Sequence, residues 1–232
     1  MEHAESLEPL QEAIGYTFQD TTILLEAVTH RSYLNERSNH PVDHNERMEF
    51  LGDAVLELIV TEYLFHEYPD QPEGQLTNYR SALVKGEHLA QVAERFDLVS
   101  YLLMSRGEAS DPNSRAYITA NAIEALIAAL YLDGSLEVAR GFVEQFILPD
   151  LPRIIEQKLF IDAKSMLQET MQEEEQATPV YEVTQEWGPD HDKRFEVTVS
   201  VSGEHIATGV GGSKQKAEQE AARHALQVKD IA

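Results

Sequence analysis

Between Asn45 and Val60 the chain reads Asn-Glu-Arg-Met-Glu-Phe-Leu-Gly-Asp-Ala-Val-Leu-Glu-Leu-Ile-Val. On a helix Glu46, Glu49 and Asp53 fall at i, i+3 and i+7, so their carboxylates line one face. Much of the remaining circumference is apolar: Met48, Phe50, Leu51, Val55, Leu56, Leu58 and Ile59. A helix that is apolar nearly all round is buried against partners on most sides. Acids along such a helix repel one another and are costly to desolvate, so something positive should compensate them. Ile118 to Leu130 repeats the pattern, with Asn121 and Glu124 as the strongly polar interior side chains, again at i and i+3. Facing one another, the two helices would surround a cation with oxygen ligands. Carboxylates, an amide carbonyl and water suit Mg²⁺ or Mn²⁺. Cysteine is absent, and His30, His40, His44 and His66 form no pair on one helix face, so zinc is not expected. Any one of these acids alone could be a charge favouring a helix end, as Glu46 would beside Arg47. Four such residues in matched positions on two greasy helices are hard to read as surface.

The elements that must position them are helical up to about Ile155. Apolar residues recur at three- and four-residue spacing around Leu7 to Ile14, Ile23 to Val28, Glu46 to Phe65, Leu76 to Phe96, Ala116 to Leu132 and Leu136 to Phe146. Pro41 and Asp43, Pro69 to Gly74, and Asp133-Gly134-Ser135 supply the breaks. Pro149 and Pro152 mark a boundary, after which the character changes. Asp162 to Glu175 reads as a helix. Three alternating stretches follow, Val180 to Glu186, Phe195 to Ser202 and His205 to Gly209, separated by turns at Gly188-Pro189-Asp190 and Ser202-Gly203-Glu204. A last helix starts at Ser213, an expected N-cap, and runs through Ala217, Ala221, Ala222 and Ala225. The expected architecture is an all-α domain over residues 4–153 and an α+β domain of order αβββα over 160–230, with helices covering one face of an antiparallel sheet.

Composition bounds the function. The 42% hydrophobic and 25% charged fractions suit a globular protein. No run of about 18 purely apolar residues suggests a bilayer span. Met1-Glu2-His3-Ala4-Glu5 lacks the basic start of a signal peptide, and a cytoplasmic location is expected. The net charge of −23 argues against a broad basic footprint of the kind that nucleic-acid binders usually carry. It is uneven, with 10 basic and 27 acidic residues through Glu156 against 8 and 14 thereafter. Cations gathered on one surface could still grip a nucleic acid, weakly and with strong salt dependence.

Asn45 to Leu56 resembles the ribonuclease III signature, with Met48 in place of the common leucine. Ala27-Val28-Thr29-His30-Arg31-Ser32-Tyr33, Pro72-Glu73-Gly74 with Leu76 and Arg80, and Ala120 to Gly134 are similar to further motifs of that family, in its order. The stretches from Asp162 to Glu169, Gly188 to Phe195 and Ser213 to Glu218 resemble a double-stranded-RNA-binding domain. The resemblance implies a Mg²⁺-dependent endoribonuclease (Mn²⁺ substituting) that hydrolyses double-stranded RNA to staggered ends with 5′-phosphates and 3′-hydroxyls. It implies a role in ribosomal RNA precursor and other RNA processing. Glu49, Asp53 and Glu124 would be metal ligands, with the Asn121 amide oxygen as a further one, Asp53 and Glu124 being the catalytic residues. Glu46 and Glu73 would support the site, and Phe50 would pack across a homodimer interface. No other cofactor and no membrane is implied. The family pattern has aspartate where Asn121 stands, so weaker metal binding is expected rather than lost activity.

For the second domain the resemblance assigns Ser165, Gln168 and Glu169 to minor-groove contacts, His191 to a second groove, and Lys214 and Lys216 to phosphates. Two lysines at a helix start add side-chain charge to exposed N–H groups, which together attract phosphate. Gln215 replaces a common lysine, which softens the grip. Trp187 and Tyr181 are expected to pack on the sheet rather than stack on bases. A non-catalytic duplex-RNA-binding protein is the main alternative; a helical phosphohydrolase for small substrates lacks its histidines and leaves the second domain idle.

Overall fold

A computed structural model of the chain describes residues 7–37, 39–157, 160, 162–189 and 193–229. It divides into two compact units, 1–160 and 161–232. In the first, helices follow in the order α1 (Glu8–Ile14), α2 (Thr21–Ala27), α3 (Arg31–Glu36), α4 (Glu46–Glu67), α5 (Glu73–Leu83), α6 (Gly86–Glu94), α7 (Arg106–Ser110), α8 (Pro112–Asp133), α9 (Leu136–Phe146) and α10 (Leu151–Glu156). Single 3₁₀ turns lie at Leu98–Tyr101 and Leu148–Asp150.

The unit is built around α8. Asp111 caps it by accepting the Ser114 N–H, and Pro112 occupies the first turn, where its missing donor costs nothing. From Ile118 to Leu130 nearly every residue of α8 is buried, and α4, α6, α9 and α2 pack around it. By length and composition α8 could cross a membrane, but its apolar surface is spent as the central helix of this core. At its far end Asp133 accepts the backbone N–H groups of Gln19 and Asp20 and the Tyr16 hydroxyl, all at 2.9 Å, which pins the entrance of α2 to the end of α8.

The sequence suggests one helical stretch from Leu76 to Phe96; the structure breaks it into α5 and α6. Lys85, at φ −62° and ψ 134°, leaves the helical region between them. No proline marks the break and the apolar spacing runs through it. What divides the segment is tertiary, since Leu83 and Leu89 are both fully buried on either side of the bend and α6 packs on α8. His88 closes the bend with Nδ1 2.7 Å from the Leu83 carbonyl, while its Nε2 lies 2.7 Å from Asp150. Arg95 also donates to Asp150, at 2.6 Å, and to the Phe146 carbonyl. Pro149 and Pro152 lie in first turns, of the 3₁₀ segment and of α10, where proline fits. Short α3, α7 and α10 carry too few residues for periodicity to reveal them.

The second unit contains α11 (Ala163–Glu174), β1 (Val180–Trp187), β2 (Arg194–Val201), β3 (Glu204–Gly211) and α12 (Lys214–Val228). The sheet is antiparallel in the order β1-β2-β3, with irregularities at Val183/Gln185 and Val199/Ser200. Val197, Val199 and Val201 alternate inward from β2 and meet Leu167 and Met171 of α11 and the alanine stripe Ala217, Ala221, Ala222 and Ala225 of α12. The alanines let α12 lie close to the sheet. At Gly209 the approach is closer still, because a Cβ there would stand 2.1 Å from the Ala221 nitrogen. The αβββα order and the helix-covered antiparallel sheet are those expected from the sequence.

Candidate functional site

Asn45 anchors the start of α4. It is buried, its Nδ2 donates to the Ala27 carbonyl at 3.0 Å, and its backbone N–H donates to Thr29 at 2.9 Å. Its carbonyl then accepts the Glu49 N–H at 2.8 Å and opens the helix. The first turn of α4 is thereby tied to the segment joining α2 and α3. From that segment Arg31 donates to Glu46 at 2.6 Å. Asn45 and Arg31 received no role from periodicity; the only signal for them was their place in the motifs.

Farther along, Glu49 and Asp53 of α4 come to Glu124 of α8, where the helices touch backbone to backbone at Gly52. Glu124 is partly buried, and burial together with the charges of Asp53 and Glu49 pushes its carboxyl up to about 7. Glu49 is raised as well: burial leads, a hydrogen bond from the Asn121 amide pulls the other way, and Glu46 and Asp53 add to the rise. The acids read from the two helices therefore do converge, with Asn121 among them and Glu46 at the rim, held by Arg31. Among the described residues no three His, Asp or Glu side chains form a ready-made coordination cage. Instead, Glu124 feels the charges of Asp53 and Glu49, and Glu49 those of Glu46 and Asp53, across a short gap. A divalent cation would relieve that repulsion, and the donors here are carboxylate and amide oxygens. That set fits Mg²⁺ or Mn²⁺.

Glu73 lies apart from this group. It opens α5, accepts the Thr77 hydroxyl at 3.0 Å, and borders a cavity of about 400 Å³ with Thr61, Leu64, Phe65, Leu76 and Arg80, two turns or more beyond Asp53 along α4. Phe50 points outward at 82% exposure, and Leu58 and Phe65 are exposed on the same side of α4.

In the second unit Ser165, Gln168 and Glu169 form one exposed face of α11, opposite the buried Ala163, Leu167 and Met171. Asp162 caps α11 by accepting the Ser165 N–H at 2.8 Å and reaches the Gln219 amide of α12 at 2.7 Å. Ser213 caps α12 by accepting the Lys216 N–H at 3.2 Å, leaving Lys214 and Lys216 exposed on the first turn. Glu186 of β1 lies 3.4 Å from the Lys214 ammonium and 2.8 Å from that of Lys193. His191, the expected second-groove residue, and Asp190 of the adjoining turn fall outside the described residues. Tyr181 packs against the core as expected, but Trp187 remains 44% exposed at the end of β1. It pairs with Arg194 as the last position of the β1–β2 ladder.

Residues 20–151 match a family model described as ribonuclease-III-like, and residues 163–229 match the double-stranded RNA binding motif. A curated relative called Ribonuclease 3, from Carboxydothermus hydrogenoformans, is 43% identical over 97% of this chain and 96% of its own length. The Ribonuclease 3 of Bdellovibrio bacteriovorus is 41% identical over 95% and 94%. Among solved structures, the nuclease domain of ribonuclease III from Campylobacter jejuni superposes with a TM-score of 0.57 at 36% identity. That match covers 63% of this chain and 99% of the domain, whose description concerns flexibility in a region involved in dimer formation.

Proposed function

The chain belongs to the ribonuclease III family, and we propose on that basis that it is a divalent-metal endoribonuclease acting on double-stranded RNA. The observation that carries the metal-dependent part is the convergence of Glu49, Asp53 and Glu124 across the α4–α8 contact, with Glu124 pushed up to about 7 by burial first and by the charges of Asp53 and Glu49 besides. Carboxylates so placed bind hard cations. Glu49, Asp53 and Glu124, with the Asn121 carbonyl, would hold Mg²⁺ or Mn²⁺. When bound, the ion supplies an activated water and charge for the leaving oxygen of a phosphodiester.

The protein's own part is to place the reacting strand. Arg31 holds Glu46 at the rim of the acid cluster, so that this carboxylate supports the site without crowding it. Glu73 is assigned a supporting role by the family resemblance. The exposed face of Ser165, Gln168 and Glu169 presents hydroxyl, amide and carboxylate groups suited to 2′-hydroxyls and base edges in the shallow groove. His191 would make the second-groove contact. Lys214, Lys216 and the start of α12 would meet the phosphates between. Such a module reads A-form shape over about 16 base pairs rather than sequence. Phe50 and the apolar side of α4 would join two copies, each cutting one strand and leaving staggered ends with 5′-phosphates and 3′-hydroxyls. The proposal extends to the processing of ribosomal RNA precursors and other transcripts in the cytoplasm.

Incubation with long duplex RNA, with and without Mg²⁺, tests the reading. Metal-dependent shortening to fragments that carry 5′-phosphates is expected. Duplex that stays intact at every Mg²⁺ and Mn²⁺ concentration, although the protein binds it, would leave a non-catalytic RNA holder.

A further inference from the structure

Glu186 and Phe195 face one another across the β1–β2 ladder, and together they hold two ammonium groups. The Glu186 carboxylate lies 2.8 Å from Lys193 Nζ through one oxygen and 3.4 Å from Lys214 Nζ through the other. The same two nitrogens stand over the Phe195 ring, at 5.4 and 5.7 Å from its centre. One anion and one aromatic face thus gather a lysine from the end of the β1–β2 hairpin and a lysine from the first turn of α12.

We infer that Glu186 is a built-in competitor of RNA phosphate, an acid that occupies the Lys193–Lys214 pair in the free protein and must yield it, or sit beside a second anion, when a duplex binds. The inference rests on the reading of this unit as a duplex-RNA grip. Its physical ground is charge. The Glu186 carboxylate between the two ammonium groups offsets part of the positive charge that they would otherwise present to a phosphate. The pair is solvent-exposed, and contacts of this kind are individually weak, so the carboxylate can be displaced. Each phosphate contact made by a free ammonium would release counterions from RNA; a contact that first gives up a carboxylate gains less. Glu186 therefore sets the affinity of the grip below what its lysines alone would give. It does so locally, unlike the general acidity of the chain.

The test uses the full chain in EDTA, to prevent cleavage, with a labelled RNA duplex of about 30 base pairs, ample for one such module. Binding is read by fluorescence anisotropy across a salt series. Glu186→Gln should bind about fivefold tighter, the scale set by two weak surface pairs. Its logarithmic salt dependence should steepen by about one ion. Glu182→Gln, on the same strand and of equal charge change, should alter affinity much less. Lys214→Ala should weaken binding. Unchanged or weaker binding by Glu186→Gln, or equal gains from Glu182→Gln and Glu186→Gln, would overturn the inference while leaving the RNA grip intact. Failure of the unaltered protein to bind the duplex, or indifference to Lys214→Ala, would remove the grip itself and the inference with it.

Discussion

A side chain on Gly52 would begin 1.7 Å from the carbonyl oxygen of Glu124. No Cβ fits there, so α4 and α8 touch along their backbones, and this contact sets the depth at which Glu49 and Asp53 meet Glu124. The glycine in the middle of the acidic motif is thus a spacer of zero thickness. Helix-interior glycine is ordinarily unfavourable by roughly 0.5–1 kcal/mol, and here the close approach offsets that cost.

Gly52→Ala should accordingly push the helices apart, destabilising the protein by about 1–3 kcal/mol or more through overpacking. It should also weaken Mg²⁺ binding, because the acids separate. Gly141→Ala is the contrast. It sits within α9 with nothing inside 4 Å of its ideal Cβ, and should stabilise by about 0.5 kcal/mol. Urea unfolding of both variants and calorimetric Mg²⁺ titration of Gly52→Ala decide the matter. Equal effects of the two substitutions would refute the spacer role.

Asn121 tests the charge of the cluster. Its amide bonds Glu49 and so relieves one of the repelled carboxylates. Asn121→Asp replaces that donor with a fourth acid. The metal-free protein should melt lower, while Mg²⁺ affinity should rise by roughly tenfold, since each added ligand charge tightens a hard-cation site. Cleavage should then saturate at lower Mg²⁺. Superimposable Mg²⁺ curves for the two proteins would show that position 121 does not touch the ion.

The residues explain how much of this was visible beforehand. The acids were legible because a carboxylate every third or fourth residue on a greasy helix has no cheap explanation, and α4 and α8 were long enough to show it. Ser213 and the alanine stripe of α12 were legible for the same reason: local preference and tertiary demand agree there. The bend at Lys85 was not, because packing on α8 dictates it and its one break residue, Gly86, is a single glycine of the kind a helical pattern tolerates. Nor could spacing show that Glu73 lies beside Phe65 rather than beside Glu49, or that Asn45 is tied to Ala27 and Thr29. Those are long-range pairings, fixed only when the helices are stacked.

Asp150 supplies a pH prediction. Burial works against its charge, but hydrogen bonds from Arg95 and His88 prevail and hold its carboxyl below the usual aspartate value. A depressed folded-state value contributes stability above the unfolded aspartate pKa, near 4, and that contribution fades as pH falls through the folded value. Asp150→Asn should thus destabilise at pH 7 by about 1–3 kcal/mol, leaving Arg95 and His88 facing an uncharged group. The difference from the unaltered protein should shrink as pH drops below about 4. Thermal melts of both proteins from neutral to acid pH measure it; a gap that stays constant with pH would exclude Asp150 as its source.

Phe50 carries the last prediction. A phenyl ring 82% exposed in a monomer, followed along the same face of α4 by exposed Leu58 and Phe65, leaves a row of apolar surface in water. Aromatic residues of this kind anchor interfaces, and loss of one at the centre typically costs 2 kcal/mol or more, about thirtyfold in affinity. The proposed homodimer would cover this row. Phe50→Glu should therefore shift sedimentation from dimer toward monomer while leaving the far-ultraviolet circular dichroism unchanged, because so exposed a ring supports little of its own fold. Duplex binding through the second unit should persist in the monomer, and coordinated cutting of both strands should fall. A protein that sediments as a monomer before the substitution, or as an undiminished dimer after it, would place the subunit contact elsewhere or nowhere.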